Sequence, residues 1–292
     1  MITTVSEITV DEAECLKKTE GPEKKENIHK FAKVKTERSK QLADGYSNEK
    51  RMMEITSISL FACFFFYNVY IIFPYINSTT AALMLLVAVV VGMLMADFVS
   101  GVIHWAADTW GTTEWAFVGN TFIRSFREHH IDPAAITRHD WIETNGDNAL
   151  VSIFFLLPPH IINLLFYGSL PVPGMKLDNF QLFTLIFNVT FSLFIAFTNQ
   201  FHKWAHSPIQ PTIVRKMQEY GLILSRQNHL VHHKSPFDCY YCITTGWLNP
   251  FLTRIEFWRR FEELISYTTG LLPRSDDMKW NDHIDLLKDK KK

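Results

Sequence analysis

The sequence predicts an all-α integral membrane protein in which four transmembrane helices carry a cytosolic, histidine-rich cap. Three observations predict it. Four apolar runs are long enough to cross a bilayer; Lys and Arg gather in the segments that would share one side of it; and the histidine clusters fall on that same side.

Residues 1–54 are rich in Lys and Glu and almost free of aromatics. Such a composition cannot bury enough apolar surface to fold, so they are read as a disordered cytosolic arm. Nothing in it resembles a cleaved signal, because the first apolar run begins near Ile55, and its acidic residues argue against a transit peptide. The membrane domain is read over 55–270, and 271–292 as a cytosolic tail. Lys288 and Lys290 in that tail match a dilysine retrieval signal and point to the endoplasmic reticulum.

The first span, 55–76, has no charge, and the second, 81–105, has one, Asp97. The third, 149–170, is interrupted by Pro158 and Pro159, and the fourth, 180–201, is again uncharged. A soluble core supplies one such run; four exclude that class. The link 77–80 carries no charge and the link 171–179 only Lys176, whereas the arm, residues 106–148 and the chain after 201 hold nearly all the basic residues. The positive-inside bias therefore places both termini and the 106–148 loop in the cytosol. Asn77-Ser78-Thr79 matches a glycosylation sequon, but so tight a hairpin holds it against the membrane.

A formal net charge of −1 argues against a broad basic face for nucleic acid. Four cysteines make no disulfide framework, and Cys239-x-x-Cys242, a lone pair, is read as two incidental thiols. The stretch 249–265 reads as one amphipathic helix, with Phe251, Ile255, Trp258 and Phe261 opposed to Arg259, Glu262 and Glu263.

The histidines carry the chemistry. At helical spacing Asp97, Ser100, Gly101, His104 and Asp108 form one polar stripe that ends the second span. Asn199, His202 and His206 end the fourth, with Asn188 and Ser192 deeper along the same face. His104-x3-Asp108 and His202-x3-His206 each let two ligand atoms converge on an ion. "REHHID" adds His129 and His130, and "NHLVHH" adds His229, His232 and His233. Isolated His29, His160 and His283 are read as ordinary residues, with His160 bonding a carbonyl freed by the neighbouring prolines. Eight imidazoles and a carboxylate are too many for one ion and suit two with open positions. Imidazole serves iron, copper and zinc alike. Two irons at the end of an apolar bundle make sense as an oxygen-activating centre, because an unactivated C–H bond needs a strong oxidant. Rival readings are a fatty-acyl or sterol desaturase or hydroxylase using the same irons, a membrane zinc hydrolase, and a metal carrier.

Three-box histidine patterns of this kind resemble the integral-membrane desaturase and hydroxylase superfamily. More specifically, "DFVSGVIHWAADTWG", "FREHHIDPAAITRHDWIETNGDN", "HKWAH", "HLVHH" and "YCITTGWLNP" resemble the Kua family of plasmanylethanolamine desaturases, over most of 97–260 and into "DDMKW". The resemblance implies an endoplasmic-reticulum enzyme that introduces a cis 1′ vinyl-ether bond into the sn-1 O-alkyl chain of an ether phospholipid. It implies O2 as co-substrate and electrons from cytochrome b5 and its NADH-dependent reductase. By position, the metal set falls on His104, Asp108, His129, His130, His202, His206, His229, His232 and His233, with Lys203 a further catalytic candidate beside Asp108. Asn228 stands where family members carry another histidine. Asp97 and Asn199 are expected behind the ligands, orienting them, and His139 either as a ninth histidine ligand or, the favoured reading, as another such orienting partner. Arg124, Arg127 and Arg138 are expected on the lipid phosphate, with Lys203, Arg226 and Lys234 nearby.

Overall fold

The computed structural model describes residues 40, 43–116, 118–234 and 237–274. Most of the N-terminal arm, Cys15, His29, His283 and the tail lysines lie outside these residues. The described residues contain no strand, and four helical segments are long and apolar enough to cross a membrane.

Helix α1 (Asn48–Ile72) starts seven residues before the expected first span. Charge did not delay it because the charge is neutralised. Lys50, buried in α1, lies 3.5 Å from Glu54 and bonds Asp147 of another helix, so both enter a helix that an unpaired ion would end. Ser47 caps α1 by accepting the Lys50 N–H at 3.2 Å. Helix α2 (Thr79–Trp110) follows a tight turn and is capped by Ser78, which accepts the Ala81 N–H at 3.2 Å. The sequon serine is thus a helix cap.

A short cap segment follows: α3 (Arg124–Ile131) and α4 (Ala135–Arg138). The third span is two helices, α5 (Trp141–Leu156) and α6 (Pro158–Tyr167), broken where the prolines remove backbone donors. It begins eight residues earlier than expected, again because its charges, Glu143 and Asp147, have cationic neighbours. His160 makes its bond to Asn68 Oδ1 of α1, at 2.9 Å, and not to a freed backbone carbonyl. Helix α7 (Asn179–His206) opens on an Asp178–Gln181 capping box and runs past the expected end.

Helix α1 packs on α5, α5 on α7 and α7 on α2, which makes α7 the most enclosed of the four. Phe66, Tyr70, Leu83, Leu165 and Phe166 face outward, the disposition that lipid requires. Gly146 permits the α1–α5 approach: a Cβ there would lie 2.4 Å from the Glu54 Cβ.

Beyond α7 the chain builds the rest of the cap from α8 (Thr212–Glu219), α9 (Arg226–His232), α10 (Asn249–Arg254) and α11 (Phe257–Thr269). The single amphipathic helix expected over 249–265 is therefore two. Glu256, at φ 53°, turns the chain between them, which leaves Phe251 exposed while Trp258 is buried against Trp105.

Candidate metal centre

Helix α2 has 32 residues and is about 48 Å long, against roughly 30 Å of hydrocarbon. Its last turns, like those of α7, stand clear of the apolar layer and carry His104 and Asp108, and His202 and His206. Helices α3 and α9 lie against them. Helix α3 contributes His129-His130, which as successive helical residues point about 100° apart, and α9 ends on His232 with His233 as its C-cap. One member of each pair therefore serves one side and its neighbour the other.

The nine expected ligands come together as two groups. His104, Asp108, His130 and His232 form one; His129, His202, His206, His229 and His233 form the other. Within each group the ligand atoms lie within 4.8 Å of one another. Asp108 Oδ1 is 3.0 Å from His130 Nε2, and its Oδ2 is 3.3 Å from His104 Nε2 and 3.6 Å from His232 Nε2. In the all-imidazole group, Nε2 of His229 is 2.8 Å from Nε2 of His202 and 2.9 Å from that of His233, which is 3.1 Å from that of His129. The groups adjoin: the His104 and His202 rings are 6.1 Å apart.

The residues fit metal ions. His104 Nε2, both Asp108 oxygens, His206 Nε2 and His232 Nε2 are buried without a hydrogen-bond partner, a cost that coordination removes. Burial first, and neighbouring imidazoles after it, hold His129, His229 and His233 well below the ordinary histidine pKa. Burial and His104 do the same for His232. These rings are neutral, which is the ligating form.

Two ligands are oriented from a loop whose role the sequence did not reveal. His104 Nδ1 donates to the Tyr241 carbonyl at 3.1 Å and His232 Nδ1 to the Cys239 carbonyl at 2.9 Å, which leaves each Nε2 for the centre. That loop is fastened to α2 and α7. Asp97 accepts the N–H groups of Thr245, Gly246 and Leu248 at 2.7, 2.8 and 3.1 Å, and Ser100 accepts that of Ile243 at 3.1 Å. Thr244 bonds Thr198 at 2.8 Å. Asn249 brackets Cys242 with two bonds and donates to Asn228 at 3.0 Å, so Asn228 secures the loop at the position where the family pattern often has a histidine. Asp97 thus holds the loop and touches no ligand. Cys242 packs into the apolar cluster with Trp105 and Trp258, and Cys239 is a free thiol.

The other expected site residues take varied places. His139 stands outside both groups, 3.6 Å from Glu128 and 3.7 Å from Glu143, and its carbonyl accepts Lys203 Nζ at 2.5 Å. Lys203 braces α7 to that loop and is not among the converging ligands. Arg127 is buried and spends Nη2 on the Ala107, Asp108 and Gly111 carbonyls at 2.7–3.0 Å, closing the end of α2, so it is not placed to hold phosphate. Arg138 is exposed and paired with Asp132 at 2.5 Å. Arg226 donates to the His206 carbonyl at 3.2 Å, and Lys234 is exposed. Arg124 lines a cavity and pairs with Glu128 at 3.2 Å.

Two cavities lie beside the centre, and one of them reaches it. One, about 620 Å³ including its open mouth, is polar: Lys50, Glu54, Arg124, Glu143 and Asp147 line it, and it ends on His129 and His202. The other, about 370 Å³ including its open mouth, lies among α2, α5 and α7 and is walled by Ile103, Phe122, Val151, Ile195 and Ile243. Phe126 and Asn199 line both, and these are the residues one turn before His129 and His202. Asn199 therefore stands where the cavities meet.

A long four-helix membrane bundle ending in two histidine groups defines a class, the membrane lipid desaturases, and comparison with known proteins agrees. The lipid desaturase domain family matches over residues 93–276. Plasmanylethanolamine desaturase 1 of Mus musculus is 45% identical over 243 residues, 83% of this chain and 87% of that one. Plasmanylethanolamine desaturase of Myxococcus xanthus is 44% identical over 248 residues, 84% and 83% of the two chains. Fatty acid desaturase 4, chloroplastic, of Arabidopsis thaliana is 33% identical over 188 residues, 63% of this chain and 52% of that one. No solved structure matches. The chain belongs to the lipid desaturase family, whose members are oxidoreductases acting on lipid in a membrane.

Proposed function

We propose that this chain is a plasmanylethanolamine desaturase of the endoplasmic reticulum membrane, with both termini and the histidine cap in the cytosol. One observation carries the choice among desaturase reactions: a polar cavity and an apolar one meet at Phe126 and Asn199, one turn from the ligand groups. The C1′–C2′ bond of an O-alkyl chain lies next to the ether oxygen, at the border of head group and hydrocarbon. An enzyme acting there needs head-group space beside its metals. One acting in mid-chain needs a deep apolar tunnel past them.

His104, Asp108, His130 and His232 would hold one iron and His129, His202, His206, His229 and His233 the other. Those irons, when bound, supply the oxidising power from O2 that removes a hydrogen from C1′ and another from C2′. In sum the lipid loses two hydrogens, cytochrome b5 supplies two electrons from its NADH-dependent reductase, two protons enter, and O2 leaves as two waters. The chain's own part is to seat the bond: Ile103, Val151 and Ile195 enclose the alkyl tail, and the junction fixes how far it enters. The Tyr241 and Cys239 carbonyls keep His104 and His232 in the ligating tautomer.

Lipid mass spectrometry on plasmalogen-deficient cells given this chain tests the reading. An acid-labile ethanolamine ether lipid, two hydrogens lighter than its alkyl precursor, is expected with the intact chain and not with His233→Ala. Well-expressed, metal-loaded protein that yields no such lipid would move the substrate to an acyl chain or sterol.

A further inference from the structure

The polar cavity is richer in charge than a passage for water needs. Its wall carries two cations, Lys50 and Arg124, and three carboxylates, Glu54, Glu143 and Asp147. Two of those carboxylates are satisfied from within the protein. Glu54 accepts the Tyr46 hydroxyl at 2.5 Å, and Asp147 bonds Lys50. Glu143 is different. His139 Nε2 at 3.7 Å and the Arg124 guanidinium at 3.9 Å both stand beyond hydrogen-bond distance, and the Glu143 side chain is 19% exposed, opening on the cavity. The cavity also borders the metal centre, since His129 and His202 of the five-histidine group line it.

We infer that Glu143 receives the primary ammonium of a zwitterionic phospholipid head group seated in this cavity, with Arg124 on the phosphate side. The inference rests on the ether-lipid reading and names the residue that selects the head group. The ammonium class follows from the wall. A quaternary ammonium has no N–H to donate and is bound in aromatic cages, and among the described residues Phe126 is the one phenyl, phenol or indole ring lining this cavity. A primary ammonium has three donors and takes a carboxylate in a charge-assisted bond. Glu143 lies on the first turn of α5, whose start is fixed by Asp140 accepting the Ile142 and Glu143 N–H groups at 2.9 and 3.0 Å, so the carboxylate is held in place.

The full chain, in vesicles with cytochrome b5 and its reductase, is given 1-O-alkyl-2-acyl glycerophosphoethanolamine and the matching glycerophosphocholine lipid. Vinyl-ether product and lipid retained in native mass spectrometry are both read. Wild type should favour the ethanolamine lipid in both. In Glu143→Gln the ethanolamine-to-choline ratio should fall about tenfold or more in both, the cost of a lost bond to a charged group, with metal content unchanged. If Glu143→Gln loses metal, Glu143→Asp carries the test and should give an intermediate ratio. A ratio that does not move overturns the inference. Head-group-selective binding that depends on Glu143, with no vinyl ether from either lipid, keeps the cavity assignment and overturns the reaction.

Discussion

His232 ends α9 and His233 caps it, yet their side chains belong to different groups: His232 joins Asp108 of α2 and His233 joins His129 of α3. A consecutive pair at the end of one short helix thus ties the two halves of the centre together, and His129-His130 does the same from the other side. Removing single members should separate the halves. His232→Ala leaves three protein ligands in its group, and His233→Ala leaves four. Both should abolish turnover. His232→Ala should lose about half of the bound metal, and His233→Ala less, because four imidazoles still satisfy a tetrahedral ion. Elemental analysis of the purified variants checks this, and equal metal in wild type and both variants would dismiss the two-group assignment.

Asp97 should govern metal retention from a distance, because it fixes the loop whose carbonyls orient His104 and His232. Asp97→Asn keeps the shape but replaces three charge-assisted bonds with weaker or opposed ones. Metal affinity should drop by about 10–100-fold, the usual effect of losing an orienting partner. Competition with a chelator measures it. A variant that keeps wild-type affinity yet melts at a lower temperature would confine Asp97 to stability.

Much of this was legible in the sequence, and the reason is chemical. Uncharged runs such as 180–201 have few uses outside a bilayer, and nine ligands at spacings of one, three and four residues have few uses outside a metal centre. Three things were hidden. Lys50, Glu54 and Asp147 read as solvated charge and so as loop, whereas Lys50 offsets both carboxylates across α1 and α5 and lets both helices extend. Asp97 sits on the same stripe as His104, and helical spacing alone does not say that its partners are backbone N–H groups some 148 residues away. Arg127 looks like any interfacial arginine until the open end of α2 is seen beside it. In each case the partner is remote in sequence, and periodicity reports only local neighbours.

Gly101 should be intolerant of the smallest side chain. A Cβ there would lie 2.6 Å from Cys242 Sγ and 3.0 Å from the Trp258 ring, so Gly101→Ala must push the 239–248 loop off α2. Turnover should fall at least tenfold by the same route as in Asp97→Asn. Adding Cys242→Ala removes the closer contact and should restore part of the activity, since residues in contact couple non-additively. Independent losses that simply add would show that the approach of the loop to α2 does not matter.

Val151 sets the last expectation. It lines the apolar cavity from α5, together with Ile195 of α7 and Ile103 of α2. Filling that space should exclude hydrocarbon without disturbing ligands that come from α2, α3, α7 and α9. In Val151→Phe, metal content should match wild type, and turnover of long-chain ether lipid should fall about a hundredfold, because a buried alkyl chain forfeits roughly 0.8 kcal/mol for each methylene turned away. Lipids shortened by several carbons should recover much of the rate, as the remaining pocket still holds them. Measuring kcat/KM against chain length decides it. A uniform loss at every length would mean that the alkyl chain enters elsewhere and that the cavity only packs the bundle.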